Sequence, residues 1–314
     1  MGVKNRDHIS NEIPDTIIVQ LMGGLGNQLF QYAVGRRIAV ANAFSLKLDV
    51  SWFMYHPRWF KYRPYRPYSL NHFATLKDVA SFVEIAKLRG LTWAHLKDNL
   101  LRKVYVDRLP RKQTVVQERS VDFDPELLEV SSSTYLIGYW QSEKYFKEIE
   151  EIIRNEFTVI TPPDPENARI AYEIKETEAI CIHVRRGDYI TDLKAKESLG
   201  LCSLDYYYRS IDYIMARVDK PHFYIFSDDP DWTQQYVTID APTTYVRNNP
   251  SDKNYEDLRL MTHCKHFIIA NSSFSWWGAW LSSNRQKIVI SPAQWFKGTK
   301  YCDDDRVPKE WVRL

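Results

Sequence analysis

The sequence predicts an α/β fold made of two Rossmann-like domains that face a cleft. Apolar runs typical of buried strands alternate with amphipathic helical patterns along most of the chain. A polar stretch rich in proline, TPPDPENA at 161–168, interrupts this alternation and is typical of a linker. We therefore predict an N-terminal α/β domain at 1–160, with a disordered tail at 1–15, and a C-terminal α/β domain at 161–314.

The first domain opens with a βαβ unit. TIIVQL, from Thr16 to Leu21, predicts a buried parallel strand, MGGLGNQ a glycine turn, and QLFQYAVGRRIAVANA a helix. SLKLDV predicts a second strand that ends at Asp49. Helical patterns continue to about residue 104, and the strand-like TYLIGYW at 134–140 precedes the predicted helix SEKYFKEIEEIIRNEF.

The second domain repeats the alternation after the linker. The predicted order is helix 167–176, strand AICIHV, helix 203–218, strand HFYIFSDD, strand TTYV, helix 254–263, strand HFIIANSS, a helix starting near Trp276, and strand KIVISP. Loops at the carboxyl ends of such strands face the cleft in doubly wound folds. The loops that carry polar and glycine residues all fall there: Gly23–Gln28, His183–Tyr189, Ser227–Asp229 and Asn271–Ser275.

The composition limits the classes of partner. Lys and Arg number 42 and Asp and Glu number 40, which leaves a net charge of +2. Proteins that coat nucleic acids need a strongly basic face, so we predict no nucleic-acid partner. No run of about 18 apolar residues occurs, so we predict no transmembrane segment.

The cysteines and the N-terminal residues indicate a compartment. Cys181, Cys202, Cys264 and Cys302 form no C-x-x-C pair and match no Cys/His spacing of a zinc site. The first residues, MGVKNRDHISNEIPDT, contain no apolar signal region. We therefore expect reduced thiols and a cytoplasmic location, either free or peripheral at the inner membrane.

The glycine turn suggests a bound nucleotide, with two alternatives. Gly24 and Gly26 begin like the dinucleotide-binding fingerprint, and Asp49 lies roughly 20 residues further on, where a ribose ligand belongs. Leu29 stands where the third glycine is expected, which weakens the alternative of an NAD(P)-dependent oxidoreductase. The other alternative is a tight turn without a ligand.

Two adjacent arginines follow the predicted strand AICIHV. The planar guanidinium forks of Arg185 and Arg186 suit the oxygens of a phosphate, and Gly187 lets a ligand approach closely. Together they can neutralise a diphosphate. The alternative is a structural ion pair in which Asp188 bridges one of the arginines.

Carboxylates follow the predicted strand HFYIFSDD. Asp228 at the strand end is the residue that we expect to face a ligand. Asp229-Pro230-Asp231 matches a D-x-D pattern that can chelate a divalent metal. Pro230 opens a turn, however, and Asp231 is expected to cap the next helix, so we predict no metal site.

Polar residues also precede the helix that contains Trp276. Asn and Ser before a helix are ordinary N-caps, and the same helix end can donate N–H groups to a phosphate. Both interpretations of Ser272 to Ser275 stay open at this point.

Taken in order, GGLGNQLFQYA, HVRRGDY, FSDDPDW and NSSFSWWGAWL resemble the α-1,2-fucosyltransferases of glycosyltransferase family 11. The resemblance extends from about Ile17 to Ser291, and H-x-R-R-x-D is also similar to α-1,6- and protein O-fucosyltransferases. It implies a GT-B-like glycosyltransferase that moves L-fucose from GDP-β-L-fucose to the 2-hydroxyl of a terminal β-galactoside. It implies inversion at the anomeric carbon, no metal and no cofactor.

The resemblance also implies roles for individual residues. His183 and Asp228 would contact guanine or ribose, and Arg185 and Arg186 the phosphates. The full donor-binding set would be Gly24, Gly26, Asn27, His183, Arg185, Arg186, Asp228, Ser272, Ser273, Phe274 and Ser275. The acceptor would contact Asn27, Gln28, Trp52 and Trp59.

The general base is not fixed by the resemblance. The α-1,6 enzymes carry a glutamate where Leu193 stands here, and Asp192 is the nearest carboxylate. The candidate catalytic residues are therefore Arg185, Arg186, Asp188 and Asp192. An alternative mechanism relies on leaving-group stabilisation, and an alternative function is a sugar-nucleotide-binding module without catalysis.

The acceptor residues lie in an aromatic and basic stretch, SWFMYHPRWFKYRPYRPY at 51–68. Aromatic rings such as Trp52 and Trp59 can cover the apolar face of galactose. The same composition can stack single-stranded nucleic acid, which the net charge of +2 disfavours. Ordinary loop packing is the third interpretation.

Overall fold

The computed structural model of the protein describes residues 15–54, 66–90, 114–191, 199–298 and 303–314, without the side chains of Asp188 and Thr191. Within these residues the strands form two separate parallel sheets. The strands are β1 Thr16–Gln20, β2 Ser45–Asp49, β3 Val115–Gln117, β4 Thr134–Ile137, β5 Glu178–Val184, β6 Pro221–Ser227, β7 Thr243–Val246, β8 His266–Ile268, β9 Val289–Ser291 and β10 Val312–Arg313.

Helices alternate with these strands. They are α1 Leu25–Asn42, α2 Ser51–Met54, α3 Phe82–Arg89, α4 Glu150–Glu156, α5 Pro165–Lys175, α6 Gly187–Thr191, α7 Leu204–Met215, α8 Pro230–Tyr236, α9 Asn254–His263 and α10 Ser273–Leu281. Short 3-10 turns occupy Leu70–His72, Pro125–Glu129, Glu143–Tyr145, Lys147–Ile149 and Ser251–Lys253. None of the helices in the described part of the chain combines the length and the apolar composition needed to cross a membrane.

The strand order places a ligand crevice in each sheet. The first sheet runs β2-β1-β4-β3 and the second β10-β9-β8-β5-β6-β7. In the second, the chain leaves β5 towards β6 and β7 and later returns to β8 on the other side of β5. Such a reversal opens a crevice at the carboxyl ends of β5 and β8, and β1 and β4 form the equivalent point in the first sheet. The predicted α/β class and its two Rossmann-like units are confirmed.

Three predicted boundaries are wrong. Helix α1 begins at Leu25, with Gly24 as its N-cap, so much of the predicted glycine turn is helical. The predicted helix of residues 142–157 is instead two 3-10 turns followed by α4, because Phe146 leaves helical geometry and packs its buried ring on Trp277 at 5.2 Å. Here tertiary packing overrides helix propensity.

The predicted linker is also shorter than 161–168. The side chain of Asp164 accepts a hydrogen bond from Asn167 N at 3.0 Å, and this cap starts α5 at Pro165. The two sheets fall on opposite sides of residue 160. The domain boundary at that residue stays a prediction.

An aromatic core joins the two halves of the chain. The ring of Phe30, on α1, lies 4.7 Å from that of Trp276 and 4.8 Å from that of Trp277, on α10. Phe157 packs edge-on against Trp277 at 5.1 Å. The rings of Phe30, Trp276 and Trp277 are almost fully buried. The carboxyl edges of the two sheets are therefore held face to face, with α1 against α10.

Candidate active site

The register of β5 and β6 brings an arginine and an aspartate together. Val184 pairs with Ser227, so Arg185 and Asp228 leave the sheet side by side. Arg185 Nη1 lies 3.1 Å from Asp228 Oδ2, and both side chains are largely shielded from solvent. The Arg185 guanidinium also lies 5.6 Å from the centre of the Tyr189 ring.

Arg186 is held by the same pair of loops. Its backbone N–H donates to Asp228 Oδ1 at 2.8 Å, and its Nε donates to Asp229 Oδ2 at 3.2 Å. The guanidinium lies 3.6 Å above the Trp232 ring, which is a close cation–π contact. A Cβ on Gly187 would meet Asp228 Oδ2 at 2.6 Å, so this glycine makes room for the aspartate.

The structure therefore pairs both arginines with β6-end carboxylates. Asp188, the partner considered from the sequence, has no described side chain. The expectation that Asp231 caps α8 is wrong: Asp229 caps it by accepting from Trp232 N at 3.3 Å, while Asp231 pairs with Arg247. No group of three or more His, Cys, Asp or Glu among the described residues is placed to hold a metal ion.

His183, the last but one residue of β5, is 3 % exposed. Its ring lies 5.7 Å from the ring of Phe274, and its Nδ1 has no hydrogen-bond partner among the residues that the structure describes. The pKa of His183 is lowered to about 3, mainly because the side chain is buried. The positive charge of Arg185 also lowers this pKa, and the negative charge of Asp228 raises it by less. The imidazole is neutral at neutral pH and can donate or accept one further hydrogen bond.

The buried His183 predicts a pH dependence of stability. Its folded-state pKa of about 3 lies below the unfolded value. The unfolded chain therefore binds more protons between about pH 6.5 and about pH 3, and stability falls as the pH drops through that window. This group contributes at most about 1.4 kcal/mol per pH unit.

The measurement compares urea unfolding of wild type and His183→Asn from about pH 7 to about pH 4. We expect the stability difference between the two proteins to shrink as the pH falls, since the variant lacks this titration. The other histidines titrate in both proteins and cancel. Parallel pH profiles would contradict the prediction.

The glycine turn meets the second half of the chain directly. A Cβ on Gly26 would lie 2.5 Å from Phe274 N and 2.5 Å from Ser273 C. Trp277 Nε1 donates to the carbonyl oxygen of Gly26 at 3.1 Å. At Gly24 the nearest atom to such a Cβ is Arg66 Nη1 at 3.4 Å, which is an ordinary contact. Gly26 thus serves the close approach of α1 to α10.

Asn27 links the two sheets through its side chain. Its Oδ1 accepts from Ser273 Oγ at 2.8 Å and from Gln141 Nε2 at 2.7 Å. Gln141 Oε1 in turn accepts from Arg306 Nη1. A continuous polar chain therefore runs from α10, through the glycine turn and the loop after β4, to the C-terminal residues.

Several predicted binding residues have protein partners. The Oγ of Ser272 caps α10 by accepting from Phe274 N at 3.4 Å. The Oγ of Ser275 is buried and donates to backbone carbonyl oxygens. Gln28 is also buried, donates to the carbonyls of Gly23 and Pro67, and accepts from Ser69 N. Their binding roles stay predictions.

The remaining predicted residues are placed as follows. The carboxylate of Asp49 is buried and accepts from Tyr135 Oη and from Ser51 N, so its oxygens are occupied within the protein. Trp52, on α2, packs its ring edge-on against Phe53 at 5.0 Å. Trp59 and Asp192 lie outside the described residues.

Sequence reasoning missed Gln141 and Arg306. Gln141 follows the carboxyl end of β4, so the rule that predicted the other loops could have found it. Arg306 lies in residues 303–314 with no strand or helix pattern around it, and no sequence signal marks it. Both residues reach the site only through tertiary contacts.

The arrangement fits an anionic ligand. It offers two oriented guanidiniums, a neutral buried imidazole and the N-terminal end of α10 at one crevice. Helix N-termini and guanidinium forks are the groups that bind phosphate oxygens.

Comparisons with known proteins show which family the chain resembles over its length. Residues 16–314 match the model of Glycosyl transferase family 11. An α-1,2-colitosyltransferase from Escherichia coli is 32% identical over 95% of this chain and 98% of its own length. The O-antigen biosynthesis glycosyltransferase WbnK from Escherichia coli is 32% identical over 88% of this chain and 94% of its own. The crystal structure of fucosyltransferase NodZ from Bradyrhizobium matches with a TM-score of 0.48 and 14% identity, over 85% of this chain and 93% of that one.

Proposed function

Since the chain belongs to glycosyl transferase family 11, we propose that this glycosyltransferase moves L-fucose from GDP-β-L-fucose to the 2-hydroxyl of a terminal β-galactoside. The observation that carries glycosyl transfer is the family match over residues 16–314, and the fucose donor and the galactoside acceptor follow from the resemblance of the four sequence motifs. The α-1,2 linkage is supported by the Escherichia coli relative that is 32% identical over 95% of this chain. The product would be an α-1,2-linked fucoside.

The reaction forms one bond and breaks one. The 2-hydroxyl oxygen of galactose attacks the anomeric carbon of fucose, and the bond from that carbon to the β-phosphate oxygen breaks. Attack from the face opposite the leaving group turns the β-linked donor into an α-linked product. GDP leaves with the bonding electron pair, and the hydroxyl proton passes to a base or to water.

The site residues would stabilise the leaving group. Negative charge grows on the β-phosphate as the bond breaks, and preorganised cations lower the energy of that state. Arg185 and Arg186 are oriented by Asp228 and Asp229, so little reorganisation is needed. His183, with a buried Nδ1 that lacks a partner in the described part of the chain, would bond the guanosine.

A colitosyl donor is the second candidate. It is favoured by the identity of 32% with the α-1,2-colitosyltransferase over 95% of this chain. Colitose differs from fucose in lacking the 3-hydroxyl. A site that bonds a hydroxyl strongly rejects the analogue that lacks it, whereas an apolar site discriminates weakly. Donor preference therefore reports whether the protein bonds the 3-hydroxyl.

The deciding experiment offers GDP-fucose, GDP-colitose and GDP-mannose to the purified protein with a β-galactoside. The matched acceptor control is the 2-deoxygalactoside, which lacks the attacking hydroxyl. We expect an α-linked product from GDP-fucose and none with the control acceptor, as read by mass spectrometry and NMR. Product from GDP-colitose alone would select the second candidate, and donor binding without turnover would select a non-catalytic module.

Metal independence is the next prediction. The carboxylates of Asp229 and Asp231 already pair with Arg186 and Arg247. Arginine side chains can hold a diphosphate where other transferases use a cation. We expect transfer to keep at least about half its rate in excess EDTA, since no step draws on a metal's charge. Loss of activity in EDTA with recovery on adding Mn²⁺ would reverse this prediction.

Trp52 is predicted to contribute to acceptor binding. It lies on α2, directly after β2, and is half-buried. We expect Trp52→Ala to raise the acceptor KM by about fivefold to tenfold and to leave the donor KM unchanged, since it removes uniform acceptor binding. Equal rises in both KM values, or none, would assign Trp52 to loop packing. The corresponding variant of Trp59 tests the other predicted ring.

We also propose a cytoplasmic location. Cys181, Cys202 and Cys264 are free thiols, and two of them are buried. Unpaired buried thiols fit a reducing compartment.

The oxidoreductase alternative is disfavoured, because Asp49 bonds Tyr135 and Ser51 instead of facing a ribose. A fluorescence titration with a nicotinamide cofactor tests it separately.

A further inference from the structure

The charges around the two arginines nearly cancel before any ligand binds. Arg185 pairs with Asp228, and Arg186 pairs with Asp229. His183 adds no charge, because burial lowers its pKa to about 3. A nucleoside diphosphate brings several negative charges into this crevice. Its binding there calls for positive charge beyond the two ion pairs.

Arg306 supplies such a charge. It is 6 % exposed and makes no ion pair with any residue that the structure describes. Its Nη1 donates to the neutral amide of Gln141, its guanidinium lies 4.8 Å from the Phe296 ring, and its Nε has no hydrogen-bond partner among the described residues. Burial lowers its pKa to about 10, so the side chain stays charged at neutral pH.

The buried charge of Arg306 is only partly compensated within the protein: the carboxylates of Glu118, Asp303 and Asp122 attract it, but none of them makes an ion pair with it among the described residues. Removing a charge from water costs several kcal/mol unless an opposite charge or several hydrogen bonds compensate. Gln141 compensates in part. The unpartnered Nε leaves one buried donor available to an anion from outside the chain.

Arg306 also lies beside the donor crevice. Gln141 joins it to Asn27, and Asn27 bonds Ser273 at the start of α10. The next residue of α10, Phe274, packs its ring 5.7 Å from that of His183, which lies two residues before Arg185.

We propose that Arg306 binds the diphosphate of the nucleotide-sugar donor together with Arg185 and Arg186. The inference rests on the proposed function, since it assumes a nucleoside diphosphate donor. It adds a phosphate-binding residue that the four motifs of the sequence do not contain. One residue of the C-terminal segment, Arg306, thus completes the donor site.

The test measures binding rather than turnover. Calorimetric titrations with GDP, guanosine and inorganic pyrophosphate are performed on wild type, Arg306→Gln and Arg306→Lys. The matched control is Arg313→Gln, from the same tail, whose guanidinium pairs with Asp303 at 2.6 Å. Circular dichroism confirms that each variant is folded. Arg306→Lys keeps the charge and covers the case in which Arg306→Gln does not fold.

We expect Arg306→Gln to weaken GDP and pyrophosphate binding by about tenfold or more, the loss of one charge-assisted hydrogen bond. Guanosine affinity should be unchanged in Arg306→Gln, and the control variant should bind all three ligands like wild type. The GDP affinity of Arg306→Lys should lie between those of wild type and Arg306→Gln. An unchanged ratio of GDP to guanosine affinity in both Arg306 variants would overturn the inference and leave the proposed function intact.

Failure of the proposed function gives a different result. In an added titration with UDP, wild type would then show no preference for GDP over UDP. The pyrophosphate titrations alone would in that case decide the role of Arg306. A tenfold loss of pyrophosphate binding in Arg306→Gln would still support the phosphate role. A wild type that binds neither GDP nor pyrophosphate would overturn both proposals.

Discussion

Arg185→Ala and Arg186→Ala are each expected to lower kcat/KM for the donor by tenfold to a hundredfold, or roughly 1.4–2.7 kcal/mol. Both guanidiniums are held in fixed orientations, by Asp228 for Arg185 and by Asp229 and the Trp232 ring for Arg186. A charge-assisted hydrogen bond in such a site contributes roughly 1.5–3 kcal/mol. Steady-state kinetics with varied GDP-fucose measures the effect.

The control separates this effect from general loss of charge. Arg209→Ala removes a guanidinium from the exposed face of α7, where it pairs with Asp205. We expect it to keep wild-type kinetics. Thermal unfolding of all three variants shows whether the fold is intact. Near-wild-type kcat/KM in both Arg185→Ala and Arg186→Ala would refute the phosphate-binding role of the pair.

Gly26→Ala is expected to destabilise the protein by about 2–3 kcal/mol, the upper range for overpacking a close contact. The added Cβ would lie 2.5 Å from backbone atoms of Ser273 and Phe274, which must retreat by about 1 Å. Helix propensity alone predicts the opposite sign, a gain of about 1 kcal/mol for Ala in α1. The measured sign therefore decides between the two effects.

We expect the activity of Gly26→Ala to fall together with its stability. A displacement of about 1 Å at a reacting site can cost roughly a hundredfold in rate. Gly24→Ala is the matched control for stability, because its Cβ would meet only the Arg66 side chain at 3.4 Å. We expect it to lose less than about 1 kcal/mol. Equal stability of Gly26→Ala and wild type in urea would show that α1 and α10 are not tightly packed at this point.

The local patterns of the sequence predict most of the fold. The alternation of TIIVQL and SLKLDV around a helix predicts β1, α1 and β2. The strand predicted at TTYV and the helix predicted at 254–263 are confirmed as β7 and α9. The two short edge strands β3 and β10 were not predicted, since three or two residues give no period to recognise. The break at Phe146 depends on Trp277, which no local pattern contains.

The candidate site is predictable only as a set of loops. The rule that ligands bind at the carboxyl ends of strands located Arg185 and Asp228. Their mutual pairing depends on the register of β5 and β6, which a single sequence does not reveal. The same holds for Gly26, whose glycine requirement arises from a helix far along the chain. Arg306 has no local signal, because its burial is created by Gln141 and Phe296.

The aromatic core shared by α1 and α10 limits how relatives of this enzyme can exchange parts. Phe30 belongs to the first half of the chain, yet its packing partners Trp276 and Trp277 belong to the second. A chimera that takes its second half from another family member keeps this packing only if that half places rings of matching size against Phe30. Recombination at the linker therefore requires that α1 and α10 come from the same parent protein. Point substitutions in the strand-end loops leave this ring packing untouched, whereas exchange of a whole half puts it at risk.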